Sequence, residues 1–441
     1  MTQKIQSVRG MYDVLPDESA QWHKLEAQLF RLMQQYGYQE VRFPHVEQTQ
    51  LFKRSIGDVT DIVEKEMYTF DDRNGDSLSL RPEGTASCLR LGLQHGLLHN
   101  QTQRLWYSGS MFRHERPQKG RYREFRQLGV EAYGFAGADI EAEMILMLQR
   151  LWQNLGFAVT HSATVDSTDD DSGKVNVRLE INTLGTLSER EDYLTALSAY
   201  LQQHHDQLDA DSQRRLTTNP LRILDSKNPQ TQELLTEAPV LSDYLQPASR
   251  THFEQIKTLL DQHEVAYHVN PRLVRGLDYY SHTVFEWVTD QLGAQGTICA
   301  GGRYDRLVEQ LSGKPGHAMG YAMGLERILA LLQVQDSVTT TNPDIYILSV
   351  LDDAMTAQQQ NLQLAERLRS ASPDLSIITH CGGGSFKSQL KKADRSQADW
   401  ALIQGQAEYD QDQWTVKALR GQAEQVTIPQ ANLYDWLETI G

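Results

Sequence analysis

The stretch YSGSMFRHERPQKGRYREFRQLGVEAY, residues 107–133, decides how the rest of the chain is interpreted. Its pattern predicts a strand, a basic loop and a second strand. Between residues 113 and 126 the basic side chains outnumber the acidic ones: they are Arg113, Arg116, Lys119, Arg121, Arg123 and Arg126, against Glu115 and Glu124. In a chain of net charge −16, this local positive excess indicates a site for phosphate groups. A solvated hairpin with a charged outer face would explain the pattern equally well at this point.

The second strand of this hairpin separates two kinds of side chain, because alternate residues point to opposite faces. One face is apolar and carries Leu128, Val130 and Ala132. The other face mixes polar and aromatic groups: Phe125, Gln127, Gly129, Glu131 and Tyr133. A small polar set bordered by aromatic rings fits a ligand pocket better than a plain core.

Composition and length place the chain among ordinary globular proteins. Its 441 residues allow roughly two to four domains. No apolar run reaches ~18 residues, so no membrane span is expected, and the first residues lack the apolar centre of a signal peptide. Cys88, Cys299 and Cys381 are widely spaced, which disfavours a disulfide framework or a cysteine zinc site and fits the cytoplasm. The acidic balance argues against nonspecific coating of nucleic acid, although a local basic groove can still bind it.

Two segments before the hairpin are candidates for contacts of other kinds. A strand before Pro44 is expected to stop there, and it is either an edge strand or part of a subunit contact. Asn74-Gly75 predicts a hairpin with a type I′ turn. The strand that follows ends near Glu83, and a helix is expected to begin near Thr85. Both residues lie where binding groups often occur, and helix capping is the alternative role.

Two motifs between residues 275 and 308 combine an arginine with glycine and tyrosine. Arg275-Gly276-Leu277-Asp278-Tyr279-Tyr280 stands at the mouth of a predicted strand, and Cys299–Val308 contains AGGRYD. Arg327 follows in the first turn of a predicted helix, where the helix N-terminus already attracts anions and a guanidinium adds donors for phosphate. A structural ion pair is the alternative for Arg327.

The changing pattern along the chain predicts its domain organisation. Residues 187–264 are mainly helical and polar, and they interrupt a strand-rich domain formed by residues 1–186 and 265–337. Residues 338–343 form a linker. Residues 344–441 alternate strands with helices, which predicts an α/β domain with a mostly parallel sheet. Phe386 stands where a phosphate-binding P-loop needs glycine, so that motif is rejected and Ser385 is expected to cap a helix.

Taken in order, these motifs resemble class II aminoacyl-tRNA synthetases, and closely the bacterial histidyl-tRNA synthetase family. Phe43-Pro44 resembles the first class motif, which builds a dimer interface, Phe112–Glu115 with its loop the second, and Gly324–Arg327 the third. RGLDYY at 275–280 and AGGRYD at 300–305 resemble the two signatures particular to histidyl enzymes. Ser281 and Arg306 depart from the usual asparagine and glycine, and the Asp-rich loop near Asp170 looks like an addition.

The resemblance implies an α+β fold: an antiparallel sheet with flanking helices, a helical insertion and a C-terminal anticodon-binding α/β domain. It implies a cytoplasmic homodimer, with no membrane contact, that activates L-histidine with ATP and Mg²⁺ and charges tRNA(His). Arg113 and Arg275 would be catalytic, with no protein metal ligand. ATP would be bound by Arg113, Glu115, Arg121, Phe125 and Arg327. Histidine would be bound by Glu83, Thr85, Arg113, Gln127, Glu131, Arg275, Tyr279, Tyr280 and Tyr304. The tRNA acceptor end would meet Arg116, Gln118 and Arg123.

Two other functions are compatible with parts of this resemblance. A histidine-sensing paralogue that regulates histidine biosynthesis shares the catalytic core but lacks the tRNA-binding C-terminal domain. The presence of Arg113, Arg275 and Arg327, and of residues 344–441, favours the enzyme. A synthetase for another amino acid is disfavoured by the two histidyl signatures.

Overall fold

The computed structural model describes residues 4–57, 60, 62–117, 120–160, 174–275, 279–293, 296–335 and 342–440. Gln118, Lys119, the Asp-rich loop near Asp170 and residues 276–278 lie outside this part. The chain divides into two compact units, Met1–Val338 and Thr339–Gly441. Within the described part, no helix combines the length and hydropathy that a bilayer crossing requires.

The first unit contains twelve strands and ten α-helices among its described residues. The strands are β1 (Gln39–Glu40), β2 (Val46–Gln48), β3 (Thr69–Asp71), β4 (Ser77–Leu80), β5 (Gln103–Phe112), β6 (Glu124–Tyr133), β7 (Ala158–Val159), β8 (Asn176–Thr183), β9 (Tyr267–Val269), β10 (Ser281–Val288), β11 (Thr297–Arg303) and β12 (Ala318–Gly324). The helices are α1 (Pro16–Gln35), α2 (Thr49–Ile56), α3 (Thr85–Gln94), α4 (Asp139–Asn154), α5 (Leu187–Gln203), α6 (Ala210–Thr218), α7 (Pro229–Leu234), α8 (Pro247–Gln262), α9 (Asp305–Ser312) and α10 (Leu325–Val334). Short 3-10 or π turns cover Ile62–Glu66, His205–Gln207, Pro220–Ile223 and Leu241–Tyr244.

A large sheet organises this unit, with strand order β1-β5-β6-β12-β11-β10-β8-β7 and β9 also paired with β8. The run from β5 to β8 is antiparallel, and the short strands β1, β7 and β9 add parallel edges. The hairpin of residues 107–133 is therefore β5 and β6, at one side of β12. The predicted antiparallel sheet with flanking helices is confirmed.

The two faces of β6 differ as the alternation predicts. Leu128, Val130 and Ala132 pack into a core with apolar residues of α1, α4 and α10. On the opposite face, Phe125 and Tyr133 join a second cluster that includes Tyr279, Tyr304 and residues of α5. Each fully buried large apolar side chain contributes about 1.5–3 kcal/mol, so the first face fixes which way Gln127 and Glu131 point.

The turn between β3 and β4 differs from the predicted type I′ turn. Asp72 accepts a hydrogen bond from the Gly75 N–H (3.2 Å) through its carbonyl, and its own N–H donates to the Asp76 carbonyl (2.9 Å). Within this turn only Gly75 has a positive φ, +88°, whereas a type I′ turn needs two. The carboxylate of Asp72 also accepts the N–H groups of Asn74 and Asp76 at 2.7 and 2.9 Å, which stabilises the longer loop.

The second unit is an α/β domain whose sheet is mixed rather than mostly parallel. Its strands are β13 (Ile345–Val350), β14 (Ile377–Thr379), β15 (Trp400–Gly405), β16 (Gln413–Ala418) and β17 (Val426–Pro429). Its helices are α11 (Ala354–Ala371), α12 (Phe386–Arg395), α13 (Gln406–Asp410) and α14 (Leu433–Leu437), with a 3-10 turn at Gln430–Asn432. In the order β14-β13-β15-β16-β17, the last two pairs are antiparallel.

The physical reason for this correction is the short connection after β15. A parallel return needs a crossover of about a dozen residues or more, and only residues 406–412 separate β15 from β16. The expected cap of α12 is confirmed, since the Ser385 hydroxyl accepts the Ser388 N–H at 3.4 Å.

Candidate active site

A cavity of about 240 Å³ opens beside β6, β11 and β12. Its walls also include segments that are far apart in sequence, around residues 83–85, 113–115 and 120–125, together with Arg275, Tyr279 and Tyr280. The structure brings together in this wall most of the residues expected at the site: Glu83, Thr85, Arg113, Glu115, Arg121, Phe125, Gln127, Arg275, Tyr279, Tyr280, Tyr304 and Arg327.

Glu131 is not in the cavity wall itself but lies directly behind the wall residues Thr85 and Tyr304, and it is only 1% exposed. Its carboxylate accepts the hydroxyls of Thr85 (2.8 Å), Tyr107 (3.1 Å) and Tyr304 (2.5 Å). Burial raises the pKa of Glu131 to about 8 despite these donors. A carboxyl that is held beside a cavity by three hydroxyls and has so high a pKa is typical of a functional group.

Tyr107 is a member of this group that the sequence interpretation missed. It lies on β5 opposite Gly129. A Cβ at Gly129 or at Gly84 would lie 2.1 Å from the Tyr107 ring, so both glycines leave room for that ring. The sequence contained one signal for Tyr107: the alternation of β5 places its ring on the face of the sheet that these two glycines leave open.

Glu83 has two roles in the geometry. Its carboxylate accepts the N–H groups of Thr85 (2.6 Å) and Ala86 (3.0 Å) in the first turn of α3, so the capping alternative is correct as far as it goes. The same side chain lines the cavity and is 3% exposed. Burial raises its pKa, and a cationic ligand beside it would favour the ionised carboxylate.

Tyrosine rings close the side of the cavity next to Glu131. The ring centroids of Tyr279 and Tyr280 are 4.7 Å apart, and the Tyr304 ring lies 5.6 Å and 6.4 Å from them. Arg190 of α5 donates a hydrogen bond to the Tyr280 carbonyl. This contact from the helical segment was also missed, because nothing in the local pattern links residue 190 to residue 280.

The other end of the cavity is basic. The guanidinium of Arg113 lies 5.3 Å from the Phe125 ring centroid, and its Nε donates to the Pro82 carbonyl at 2.8 Å. Arg121 forms an ion pair with Glu115. Arg327 donates to the carbonyls of Gly120 and Thr297.

Repulsion between the guanidinium groups marks this end as an anion site. Burial lowers the pKa of Arg327, and the nearby Arg121 and Arg113 lower it further. Burial also acts to lower the pKa of Arg275, but its ion pair with Glu286 raises it above the usual value. Forked guanidinium donors that converge on one space fit phosphate oxygens.

Some expected residues lie elsewhere. Arg116 and Arg123 belong to the loop between β5 and β6 but are not in the cavity wall. Arg116 is exposed, and Arg123 donates from Nε to the Glu115 carbonyl at 3.3 Å. Ser281 begins β10, and Arg306 is exposed on α9; neither lines the cavity.

Comparison with known proteins agrees with this geometry. The family model for histidyl-tRNA synthetase matches residues 10–328, and the model for an anticodon-binding domain matches residues 344–440. The crystal structure of apo S. aureus histidyl-tRNA synthetase is 32% identical, covers 98% of this chain and 99% of its own, and has a TM-score of 0.77.

More distant structures share the fold. Histidyl-tRNA synthetase from Nostoc sp. PCC 7120 is 18% identical, with 99% and 100% of the two chains covered and a TM-score of 0.69. A Bacillus halodurans protein described as an ATP phosphoribosyltransferase regulatory subunit/histidyl-tRNA synthetase is 18% identical, with 92% and 98% covered and a TM-score of 0.60. The match over both the catalytic and the anticodon-binding regions, at 32% identity to the S. aureus protein, shows that this chain belongs to the histidyl-tRNA synthetase family of aminoacyl-tRNA synthetases.

Proposed function

We propose that the cavity joins L-histidine to ATP, forming histidyl-adenylate, and then passes the histidyl group to the 3′ end of tRNA(His). The observation that carries this proposal is the arrangement of one cavity with opposite ends. Glu131 and its hydroxyl partners form an acidic end, and Arg113, Arg275 and Arg327 form a basic end. An imidazole and an ammonium group fit the first end, and a polyphosphate fits the second.

In the first step, a carboxylate oxygen of histidine attacks the α-phosphorus of ATP. The new C–O–P bond forms as the bond to the bridging oxygen of the β-phosphate breaks, and pyrophosphate leaves with that electron pair. Arg113 and Arg275 would neutralise charge on the α-phosphate from two sides, which is where preorganised donors lower the barrier most. Positioning and charge stabilisation carry the rate, since no protein nucleophile is needed.

In the second step, a hydroxyl of the terminal ribose of tRNA attacks the carbonyl carbon of the adenylate. The ester bond forms and AMP leaves. We assign the acceptor end to Arg116, Gln118 and Arg123 on the loop between β5 and β6. Residues 1–186 and 265–337 would form the catalytic domain, residues 187–264 its insertion and residues 344–441 the anticodon-binding domain.

Selection of histidine rests on hydrogen-bond pairing in the acidic end. Glu131 would accept an imidazole N–H while Tyr280 meets the other nitrogen. Glu83 and Thr85 would bind the ammonium group, and Tyr279 and Tyr304 would complete the walls. The buried Oε1 of Gln127 has no protein partner, which supports a ligand donor at that point because buried acceptors are normally paired.

Nucleotide binding would use the remaining residues of the basic end. Phe125 would stack on adenine, Glu115 and Arg121 would contact the rest of the nucleotide, and Arg327 would hold the γ-phosphate. ATP is expected to arrive with Mg²⁺, which is usually held by phosphate oxygens, water and one or two carboxylates. The described residues contain no cluster of three or more metal-ligating side chains, and Glu115 in the cavity wall fits a single supporting carboxylate. Such an ion would neutralise phosphate charge.

We also propose a homodimer built on the segment around Pro44. The small sheet β2-β4-β3 pairs Val46 with Leu80 and Leu78 with Phe70, so these apolar side chains share one face. Val46 is 37% and Phe70 44% exposed. An exposed apolar face of this kind is typical of a subunit contact. Sedimentation that shows a fully active monomer would overturn this proposal. The free cysteines and a tRNA substrate support a cytoplasmic location.

ATP–pyrophosphate exchange, measured with each amino acid in turn, tests the proposed function. Histidine alone should support exchange, and the enzyme should then charge tRNA(His). A histidine-sensing regulator would bind histidine without exchange, and a synthetase for another amino acid would exchange with that amino acid instead.

A further inference from the structure

The segment before α1 lies against the loop that carries the nucleotide-binding arginines. The N–H of Arg123 donates to the Gly10 carbonyl at 2.7 Å, and the N–H of Arg113 donates to the Arg123 carbonyl at 2.9 Å. Two consecutive backbone hydrogen bonds therefore connect Gly10 to the residue assigned to the α-phosphate. Within the segment, the Met11 N–H donates to the Val8 carbonyl at 2.9 Å, which forms a compact turn.

Side chains make the same contact. The ring centroids of Tyr12 and Tyr122 are 4.7 Å apart, and Tyr122 lines the cavity. Tyr12 also lies near the cavity residue Glu326, and burial together with that carboxylate raises the pKa of Tyr12. Glu326 in turn accepts the Arg126 N–H at 2.7 Å, at the start of β6. The segment thus meets the loop, β6 and α10 where all three approach the nucleotide end.

Gly10 has no room for a side chain. Its φ is +88°, and a Cβ there would lie 2.9 Å from Arg123 and 2.9 Å from Pro117. Any larger residue must push the loop away or twist the segment. Glycine is therefore needed at position 10 because the segment and the loop pack against each other, which the sequence of neither one reveals.

We propose that residues 8–12, here named the N-terminal strap, position the loop between β5 and β6 for ATP, with Gly10 and Tyr12 as positioning residues. This inference rests on the proposed function. Most of the histidine end does not depend on the strap, because Glu131 lies on β6, Thr85 on α3, and Tyr304 directly after β11. Arg113 is the one expected histidine contact that belongs to the loop. The strap therefore acts mainly on ATP and leaves most histidine contacts in place, which separates positioning from a general effect on the fold.

Gly10→Ala tests the strap, with Gly37→Ala as a matched control. Both glycines have positive φ, +88° and +70°, but no atom lies within 4 Å of a Cβ at Gly37. Backbone strain is thus common to both variants, and the clash with the loop belongs to Gly10 alone. Pyrophosphate exchange should show a KM for ATP raised about tenfold in Gly10→Ala, since small misplacements of binding groups cost rate or affinity steeply. Its KM for histidine should stay within about twofold of wild type.

A second pair keeps the test decisive if Gly10→Ala does not fold. Tyr12→Ala removes the ring against Tyr122 and should raise the KM for ATP, whereas Tyr12→Phe keeps the ring and should restore it. Equal ATP effects in Gly10→Ala and Gly37→Ala would overturn the proposal, and so would parallel rises of both KM values in Gly10→Ala and Tyr12→Ala. Histidine-dependent exchange by the wild-type enzyme tests the proposed function separately.

Discussion

The Tyr304 hydroxyl lies 2.5 Å from Oε2 of Glu131, although Glu131 belongs to β6 and Tyr304 directly follows β11, which is not a neighbour of β6. β12 runs between them, and its Gly320 faces the carboxylate. A Cβ at Gly320 would lie 1.8 Å from Oε2 of Glu131. The absent side chain therefore opens the space in which the tyrosine reaches the acid across the sheet.

Stability should depend on pH through Glu131. Its pKa in the folded protein is about 8, against 4.5 for the free group, so the folded state keeps a proton that the unfolded state releases. This contribution to stability is complete below pH 4.5 and is lost as the pH rises through about 8. Between pH 6 and pH 9 the ligand-free wild type should lose on the order of 3 kcal/mol more than Glu131→Gln. Unfolding of both proteins at the two pH values measures this, and equal losses would contradict it.

Glu131 should also decide which amino acid is accepted. Glu131→Ala leaves three hydroxyls without their acceptor and removes the partner of an imidazole N–H. Sites that pair a substrate group can discriminate by ~10⁴ or more, and much of that preference should vanish in the variant. Exchange efficiency with histidine and with isosteric analogues measures the ratio. An unchanged preference for histidine would remove Glu131 from the specificity pocket.

Loss of Arg275 should slow adenylate formation. Arg275→Ala is expected to lower pyrophosphate exchange by about 10² or more, the scale of losing one oxyanion donor. Arg272→Ala is the control, since Arg272 belongs to the same segment but lies outside the cavity wall. Near-normal exchange in Arg275→Ala, with the control unaffected, would remove Arg275 from the mechanism.

Arg303 should matter for stability more than for chemistry. It is 1% exposed, forms an ion pair with buried Glu141, and donates to the carbonyls of Phe135 and Gly137 at 3.0 Å each. Arg303→Ala removes the guanidinium partner of buried Glu141, to which only the His252 ring at 2.8 Å then remains as an ionic partner among the described residues, and it should cost about 3–5 kcal/mol in the free energy of unfolding.

Arg178→Ala supplies the comparison for Arg303. Arg178 pairs with Asp290 and with Glu180, whose side chains are 67% and 18% exposed. Water reaches both carboxylates, so loss of Arg178 should cost about 1 kcal/mol or less. Denaturant unfolding of both variants measures the two values. Similar values would mean that the buried pair at Arg303 is no more important than a surface one.

Local patterns identified much of the fold because they report on local physics. The alternation of β6 separated Leu128 and Val130 from Gln127 and Glu131 correctly, and Ser385 was correctly expected to cap a helix. Two inferences failed where a competing interaction decided the outcome. The Asp72 side chain favoured a longer turn at Asn74-Gly75, and a short connection reversed β16.

The sequence by itself determined the sheet-and-helix class, the basic hairpin, the family signatures and most residues of the cavity wall, because charge, periodicity and motif spacing are properties of short segments. Only the tertiary structure decided that Tyr107 and Tyr304 meet Glu131, that Arg190 holds Tyr280, and that Gly10 lies against Arg123. Each of these contacts joins residues that are far apart in the sequence and come together only when the strands pair and the helices pack. The need for glycine at positions 320 and 10 can be seen only in the folded protein, where a neighbouring side chain occupies the space that a Cβ would take.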